Sequence, residues 1–460
     1  MFRFTLFTAV AGALASTATV RADDWPQWMG PNRDDVWAET GIVKSFPESG
    51  LKPLWSVPIS AGYAGPAVAN GHVYVPSREL AKGAKNPDDP FDTKQEVKST
   101  ERVQCFDAKT GKEIWKHEYD CPYQISYPAG PRCTPTVHEG KVYTLGAMGH
   151  LFCLNAADGK VIWSKNFIKD YKAKAPTWGF CGHPLVYKNL LICLAGGEKA
   201  TAVAFDKDTG AEKWTALEAR EPGYCPPTLI KAGGVDQVVI WHAAALNGLD
   251  PLTGKVYWTV GLEPMYGMSI MGPRQHGDRL FAGGIGTSTV LKLEKDKPAV
   301  TVLWKEAADK GGAKLPKERG LYPVNMTPFV DAGTIYGADQ PGMFRAVELE
   351  TGKKLWFSYV PVINKDEAED FKGAASGTAF VVKNGDRYFL FAETGDLIIA
   401  KLAPNPNPKE GYKELSRTKL LEPTGAAFGR KVLWTHPAFA NKCVFVRNDK
   451  ELACFSLAEK

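Results

Sequence analysis

The 460-residue chain is poor in the features that mark several large protein classes. It has only 8 His and a formal charge of just +5, spread along its length. That balance excludes a basic surface built for nucleic acid. There is no C-x-x-C-H segment for covalent haem. "GGIGTS" at Gly283 lacks the lysine and the following helix of a phosphate loop. The longest apolar run, "FTLFTAVAGALA" (Phe4 to Ala15), is too short for a permanent bilayer span. With Arg3 before it and "VRA" ending at Ala22, it reads as an export signal cleaved after Ala22. No cysteine follows that cut, so a lipid anchor is not indicated. A periplasmic or secreted monomer with no membrane span is expected.

What the chain does have is 45 Gly, 32 Pro and 13 Trp, a composition suited to a turn-rich β protein. A unit recurs: "FDAKTGKEIW" ends at Trp115, "LNAADGKVIW" at Trp163, "FDKDTGAEKW" at Trp214, "LDPLTGKVYW" at Trp258 and "VELETGKKLW" at Trp356. In each, Gly lies four residues before Trp, and Asp, Asn or Glu four before the Gly. Degenerate units surround Trp304 and Leu415, and Trp55 has the strand without the turn. A second, interleaved pattern of a turn and a β-branched or aromatic run occurs eight times, from "NGHVYVP" at Asn70 to "NKCVFVR" at Asn441. Units of roughly 44–60 residues with four short strands predict propeller blades. The acidic residue caps the turn, Gly closes it, and Trp packs between blades. The prediction is an all-β, eight-bladed β-propeller of four-stranded antiparallel blades. Its last blade is closed by the N-terminal Trp55 strand, which removes the open edge. Residues 1–22 are read as the signal peptide, 23–50 as an N-terminal extension and 51–460 as the propeller.

Loop lengths separate the two faces of the ring. The Thr-Gly turns and the first-to-second turns are short and share one face. The long connections, Lys116–Gly130, Lys165–Gly179, Glu306–Leu321, Val360–Gly373 and the charged insertion Arg78–Glu101, fall on the other. Function favours variable loops over a rigid scaffold, so that face is the expected binding surface. The innermost strands should open there, bringing Tyr63, Arg132, Trp178, His183, Tyr224, Arg274, Asn325 and His436 to a central mouth. Cys133, Cys181 and Cys225 start consecutive blades and with His183 or Met326 suggest a soft-metal or thiol site; small residues in a crowded inner ring, or one disulfide plus a spare thiol, are the favoured explanation. Cys105, Cys153 and Cys454 fill a slot that is Ala or Gly in other units, so they should be buried small residues. Cys443–Cys454 and Cys121–Cys133 are possible disulfides. Asp88, Asp89 and Asp92 lack calcium-loop spacing and read as a solvated loop, and His242 as a packed histidine.

The repeat resembles the tryptophan-docking unit of pyrroloquinoline-quinone (PQQ) dehydrogenases and their relatives, which include the β-propeller subunit of the outer-membrane assembly machine. The stretch "DWPQWMGPNRDDVWAETG" (Asp23 to Gly41) is similar to the start of bacterial secreted PQQ-like repeat proteins. PQQ and Ca²⁺ are implied by the resemblance alone. The chain departs from the quinone enzymes in having no adjacent cysteine pair and no recognisable calcium-binding or catalytic carboxylate set. The reading is therefore an exported scaffold that binds an envelope protein or a small ligand through its long-loop face. The alternative is a periplasmic PQQ-dependent oxidoreductase, with the cofactor beside Trp178 and its carboxylates on Arg132 or Arg274.

Overall fold

The computed structural model describes residues 24–308, 316, 318–365 and 373–459. The export signal expected at 1–22 lies outside them. Eight four-stranded antiparallel sheets form a closed ring. Blade 1 runs outward from the axis through Ala67–Ala69, His72–Leu80, Ser99–Asp107 and Glu113–Asp120. Blades 2 to 7 repeat that order along the chain, with innermost strands of blades 2, 3, 5 and 7 at Thr136–His138, Leu185–Tyr187, Arg274–His276 and Ala379–Asn384. Blade 8 takes Ala438–Ala440, Cys443–Arg447 and Glu451–Ser456 from the C-terminal end and Pro53–Pro58 as its outermost strand. Trp55 pairs with Cys454 across that closing junction. The ring is thus locked by hydrogen bonds between its two ends, and the last blade gains its fourth strand.

The repeated unit works between blades as well as within them. Asp107 Oδ1 accepts from the amides of Lys109 (3.1 Å) and Thr110 (2.8 Å), which fixes the turn. Gly111 closes it at φ +71. A Cβ there would lie 2.7 Å from the Trp55 ring, so the glycine is required by contact as well as by backbone. The tryptophan of one blade lies on the turn glycine of the next and donates its indole N–H to a carbonyl of that turn. Trp55 donates to Ala108 O (3.0 Å), Trp115 to Ala156 O (2.9 Å), Trp163 to Lys207 O (3.0 Å), Trp214 to Pro251 O (3.1 Å) and Trp304 to Leu349 O (2.8 Å). Trp258 departs from the pattern. The unit ahead of it, around Trp304, has no Thr-Gly turn, so Trp258 donates instead to Gln237 Oε1 of its own blade (2.7 Å) and covers Gly248.

Several local expectations are refined. The insertion placed at 78–101 begins as strand, because Arg78 pairs with Glu101 and both are buried. The loop itself is 81–98. Buried Glu101 accepts from the Tyr119 and Tyr123 hydroxyls and the Ala147 amide, which anchors that long strand pair. Asp89 and Asp92 accept from the amides of Phe91 and Lys94, both at 2.9 Å, as turn formers. Cys105, Cys153 and Cys454 are buried in the slot beside Trp115, Trp163 and Trp55. All nine cysteines are free thiols, so the Cys443–Cys454 and Cys121–Cys133 disulfides do not form here. His242 is packed, and burial lowers its pKa.

Candidate functional site

Residues 24–50 shape the site more than their position outside the repeats suggested. The segment enters the ring beside blade 1, where Trp25 bridges to Val68, and Val137 of blade 2 donates to Pro26 O (2.8 Å). Half-buried Arg33 donates to the carbonyls of His183 (3.1 Å) and Pro184 (3.2 Å). The chain then returns along blade 7: Lys383 donates to Asp35 O and Trp37 to Lys383 O, both at 2.8 Å. The result is a plug in the axial channel, inserted from the tight-turn face. Burial lowers the Arg33 pKa to about 10, and four carbonyl-directed bonds, two from Arg33 and two from Arg274, hold the plug without a carboxylate partner.

Above the plug, on the long-loop face, a cavity of about 850 Å³ opens at the axis. It falls within the range of about 300–1,000 Å³ usual for ligand pockets. Trp28 of the plug is part of its lining and stacks on His183 with ring centroids 4.8 Å apart and planes at 16°. His436, also in the wall, places Nε2 3.2 Å from buried Asp35 of the plug. The floor is therefore made jointly by plug and blades.

The walls are aromatic. Trp178 and Tyr224 meet edge to face at 5.7 Å, and Tyr127 packs beside Trp434 at 6.1 Å. Trp434 is fixed by its indole N–H, which donates to Glu393 Oε2 (3.1 Å). Phe91, Tyr266 and Phe428 lie in the lining and stay exposed. Tyr266 and Phe428 adopt φ of +58 and +49, the left-handed region that aromatic side chains rarely take. Phe428 occupies the first position of a two-residue turn, followed by Gly429 at φ +76. Such conformations cost about 1–3 kcal/mol each and concentrate at functional positions.

Most of the charged groups are committed to structure. Arg132 donates to Tyr127 O (2.6 Å) and Ser126 O (3.0 Å) and lies over the Tyr63 ring. Asn325 donates to Ser376 O (3.3 Å). His183 Nδ1 accepts from the Thr134 amide (3.0 Å), and burial with nearby Arg33 pushes its pKa well below the ordinary imidazole value. The ring is neutral and carries its proton on Nε2. Two buried side-chain polar atoms of the lining residues remain without a hydrogen-bond partner among the described residues: the Tyr224 hydroxyl and Gln340 Oε1. The Trp178 amide influences the Tyr224 oxygen electrostatically but lies outside hydrogen-bond geometry.

Of the residues expected at the mouth, Tyr63, Arg132, Trp178, His183, Tyr224, Asn325 and His436 line this cavity, as do Cys181 and Met326. Arg274 does not. It donates to the carbonyls of Arg33 (3.1 Å) and Asp34 (2.8 Å), because the plug occupies the channel it would otherwise face. Cys133 and Cys225 are buried behind the wall, donating to Phe180 O (3.8 Å) and Met271 O (3.1 Å). Cys181 donates to Gly179 O (3.4 Å), and burial raises its pKa to about 11. These are protonated thiols. Among the described residues, no three His, Cys, Asp or Glu side chains converge to hold a metal. Trp28, Trp434, Tyr127, Gln340 and the three rim aromatics were not anticipated. The unusual aromatic content of "DWPQWMG" was the available signal for Trp28.

Ca²⁺ takes about 6–8 oxygen ligands. Among the described residues, Glu221 is the one carboxylate residue of the cavity lining. A tricarboxylic quinone would need several free cations; Arg132 and Arg274 are both bound to carbonyls, and the remaining lining arginine, Arg220, is exposed beside Glu221 at 3.8 Å. The residues present therefore do not fit a PQQ–Ca²⁺ pair.

An eight-bladed ring carrying the Gly-to-Trp unit defines the class of PQQ-like repeat propellers. The family model described as outer membrane protein assembly factor BamB matches residues 99–358 and 242–460, and the chain belongs to that family. It is 24% identical over 276 residues to outer membrane protein assembly factor BamB of Moranella endobia, covering 59% of this chain and 64% of that one. It is 26% identical over 301 residues to the dehydrogenase subunit of the quinone alcohol dehydrogenase of Gluconacetobacter polyoxogenes, covering 58% and 37%. The chain thus spans less than two thirds of the length of either relative. Among solved structures, BamB from Moraxella catarrhalis matches with a TM-score of 0.56 at 14% identity, covering 89% of this chain and 98% of that one. Quinohemoprotein alcohol dehydrogenase from Comamonas testosteroni matches at 0.58 and 16%, covering 95% and 81%. At these identities the structural likeness shows the fold.

Proposed function

We propose that this protein is an exported binding scaffold of the cell envelope, which takes an envelope protein or a small ligand at the axial mouth of its long-loop face. The observation that carries this reading is the aromatic-rimmed cavity of about 850 Å³, in which His183 is neutral, Arg132 is bound to the protein's own backbone, His436 faces Asp35 and exposed Arg220 lies 3.8 Å from Glu221. Among the described residues, such a wall supplies contact area and fixed dipoles. Membership in a family described by an outer-membrane assembly factor supports an envelope location. No described helix is long and apolar enough to cross a membrane.

The test replaces Phe91, Tyr266 and Phe428 together with Ala and compares capture of envelope components with wild type. Loss of capture with an unchanged melting curve supports the mouth as the binding face. Undiminished capture places binding elsewhere and overturns the reading.

The second reading, a quinone-dependent oxidoreductase, is favoured by the dehydrogenase-subunit relatives and opposed by the donor set of the cavity. Adding PQQ and Ca²⁺ decides it. A tight cofactor at 100 times its Kd would stabilise the fold by about 2.7 kcal/mol, so an unmoved melting temperature rejects it.

A further inference from the structure

Four properties of the cavity together limit what can occupy it. The first is the stack of ring faces and edges from Trp28, Tyr127, Trp178 and Trp434. The second is sparse charge among the described residues: Arg132 is bound to carbonyls, and Arg220 lies 3.8 Å from Glu221. The third is a closed inner end, since Trp28 is locked onto His183 and Arg33 is bonded to the wall beneath. The fourth is the unmet hydrogen-bonding capacity of the Tyr224 hydroxyl and Gln340 Oε1, joined by the Nε2 proton of neutral His183. Tyr224 is 98% buried, so its unpartnered hydroxyl calls for a partner that the protein does not provide.

A purely apolar guest, such as a hydrocarbon chain, would leave those polar atoms unpaired, at about 1–3 kcal/mol each. Among the described residues an anionic guest would find no uncommitted buried cation, and exposed Arg220 is accompanied by Glu221. The guest that satisfies all four properties is neutral, ring-shaped, apolar on its faces and rich in hydroxyls at its edge. We infer that the axial cavity binds a neutral saccharide, with a pyranose face against the aromatic wall and its hydroxyls on Tyr224, Gln340 and His183. The closed floor admits a free sugar or the end of a glycan chain and excludes a chain running through. This rests on the proposed binding role of the mouth and names its ligand class.

Most of this constellation belongs to the blades and their loops, and one member belongs to the plug. His183 is set by the start of blade 3 and Tyr224 by the start of blade 4, whereas Trp28 arrives from the N-terminal extension. The plug therefore sets the depth of the site, and a substitution at Trp28 alters how far a sugar can enter without touching a blade.

The test titrates the full protein with maltose, cellobiose, lactose and N,N′-diacetylchitobiose, reading tryptophan fluorescence and melting temperature, with glucuronate and PQQ as charged controls. At least one neutral disaccharide is expected to bind saturably with a Kd of about 1 mM or tighter, and glucuronate is not. Tyr224→Phe removes a single oxygen and should weaken that sugar about 2- to 10-fold. Trp434→Ala should weaken it about 10-fold or more. The polymer of whichever disaccharide binds is run as competitor: competition identifies chain ends as the source, and its absence identifies free sugar. If none of the four disaccharides binds, or if Tyr224→Phe and Trp434→Ala both bind with wild-type affinity, the saccharide assignment is overturned. The Phe91, Tyr266 and Phe428 replacement reads the binding role separately, so loss of capture there together with absent sugar binding would reject the ligand class and keep the face.

Discussion

Replacing Gly159 with Ala tests the contact that joins one blade to the next. Gly159 sits at φ +71, and a Cβ there would lie 2.5 Å from Cε3 and 2.8 Å from Cδ2 of Trp115. Two costs follow. An L-residue in the left-handed region loses about 1–2 kcal/mol. Forcing a methyl against a packed ring, whose indole N–H is held by Ala156 O at 2.9 Å, adds about 1–3 kcal/mol. Gly140 provides the control. Its φ is +72, and a Cβ there meets nothing within 4 Å. Gly140→Ala should therefore show the backbone cost alone, and Gly159→Ala should fall below it by the ring-contact cost. Urea denaturation followed by tryptophan fluorescence measures both. In a Trp115→Phe background the smaller ring should recover part of the Gly159→Ala loss, a coupling read from the double-mutant cycle. Equal losses at Gly140 and Gly159, or no coupling to position 115, would refute the idea that the tryptophan stacks on the next blade's turn.

Other consequences can be checked independently. Gln237→Ala should cost about 1–3 kcal/mol, because it strands the buried Trp258 indole N–H that bonds it at 2.7 Å. Arg345→Met should cost about 3–5 kcal/mol by leaving Asp339 uncompensated, since both side chains are at most 2% exposed and are paired at 2.5 Å. His183 makes stability depend on pH. Its folded pKa lies well below 6.5, so the unfolded chain binds the proton first on acidification. Its contribution is complete above about pH 6.5 and is lost as pH falls from there toward the folded pKa, by up to about 1.4 kcal/mol per unit. His183→Gln should flatten that part of the profile in pH-dependent urea midpoints, and an unchanged profile would assign the slope to other histidines.

The fold was legible because its signal is repeated. Asp107, Gly111 and Trp115 carry one local instruction, and four more units restate it. The short turns and long loops then sorted the two faces, and the starts of the inner strands located Tyr63, Trp178, His183 and Tyr224 in one cavity. Repetition also explains what was missed. The plug occurs once and has no internal copy to compare. Its bonds run from Arg33 to Pro184 and from Arg274 back to Asp34, across separations that no local pattern encodes. Arg274 was expected at the mouth for that reason: its place in the repeat pointed to the axis, and the segment filling the axis was not visible. The cysteines at the starts of blades 2, 3 and 4 shared a register, but that register buries Cys133 and Cys225 behind the wall. Phe91 and Phe428 lie on loops where neither period nor spacing constrains the side chain. Trp258 shows the reverse case, in which a conforming tryptophan turns inward because the neighbouring unit lacks its glycine.

The most direct test of the binding face places a photo-reactive amino acid at Phe428, on the rim of the mouth, and in a second protein at Lys109, in the exposed turn of the opposite face. Each is irradiated in native envelope extract, and the adducts are read by intact mass, which reports small ligands and proteins alike. Adducts at position 428 with position 109 unmodified are the predicted result. Adducts at position 109 with none at 428 would contradict the assignment of binding to the long-loop face.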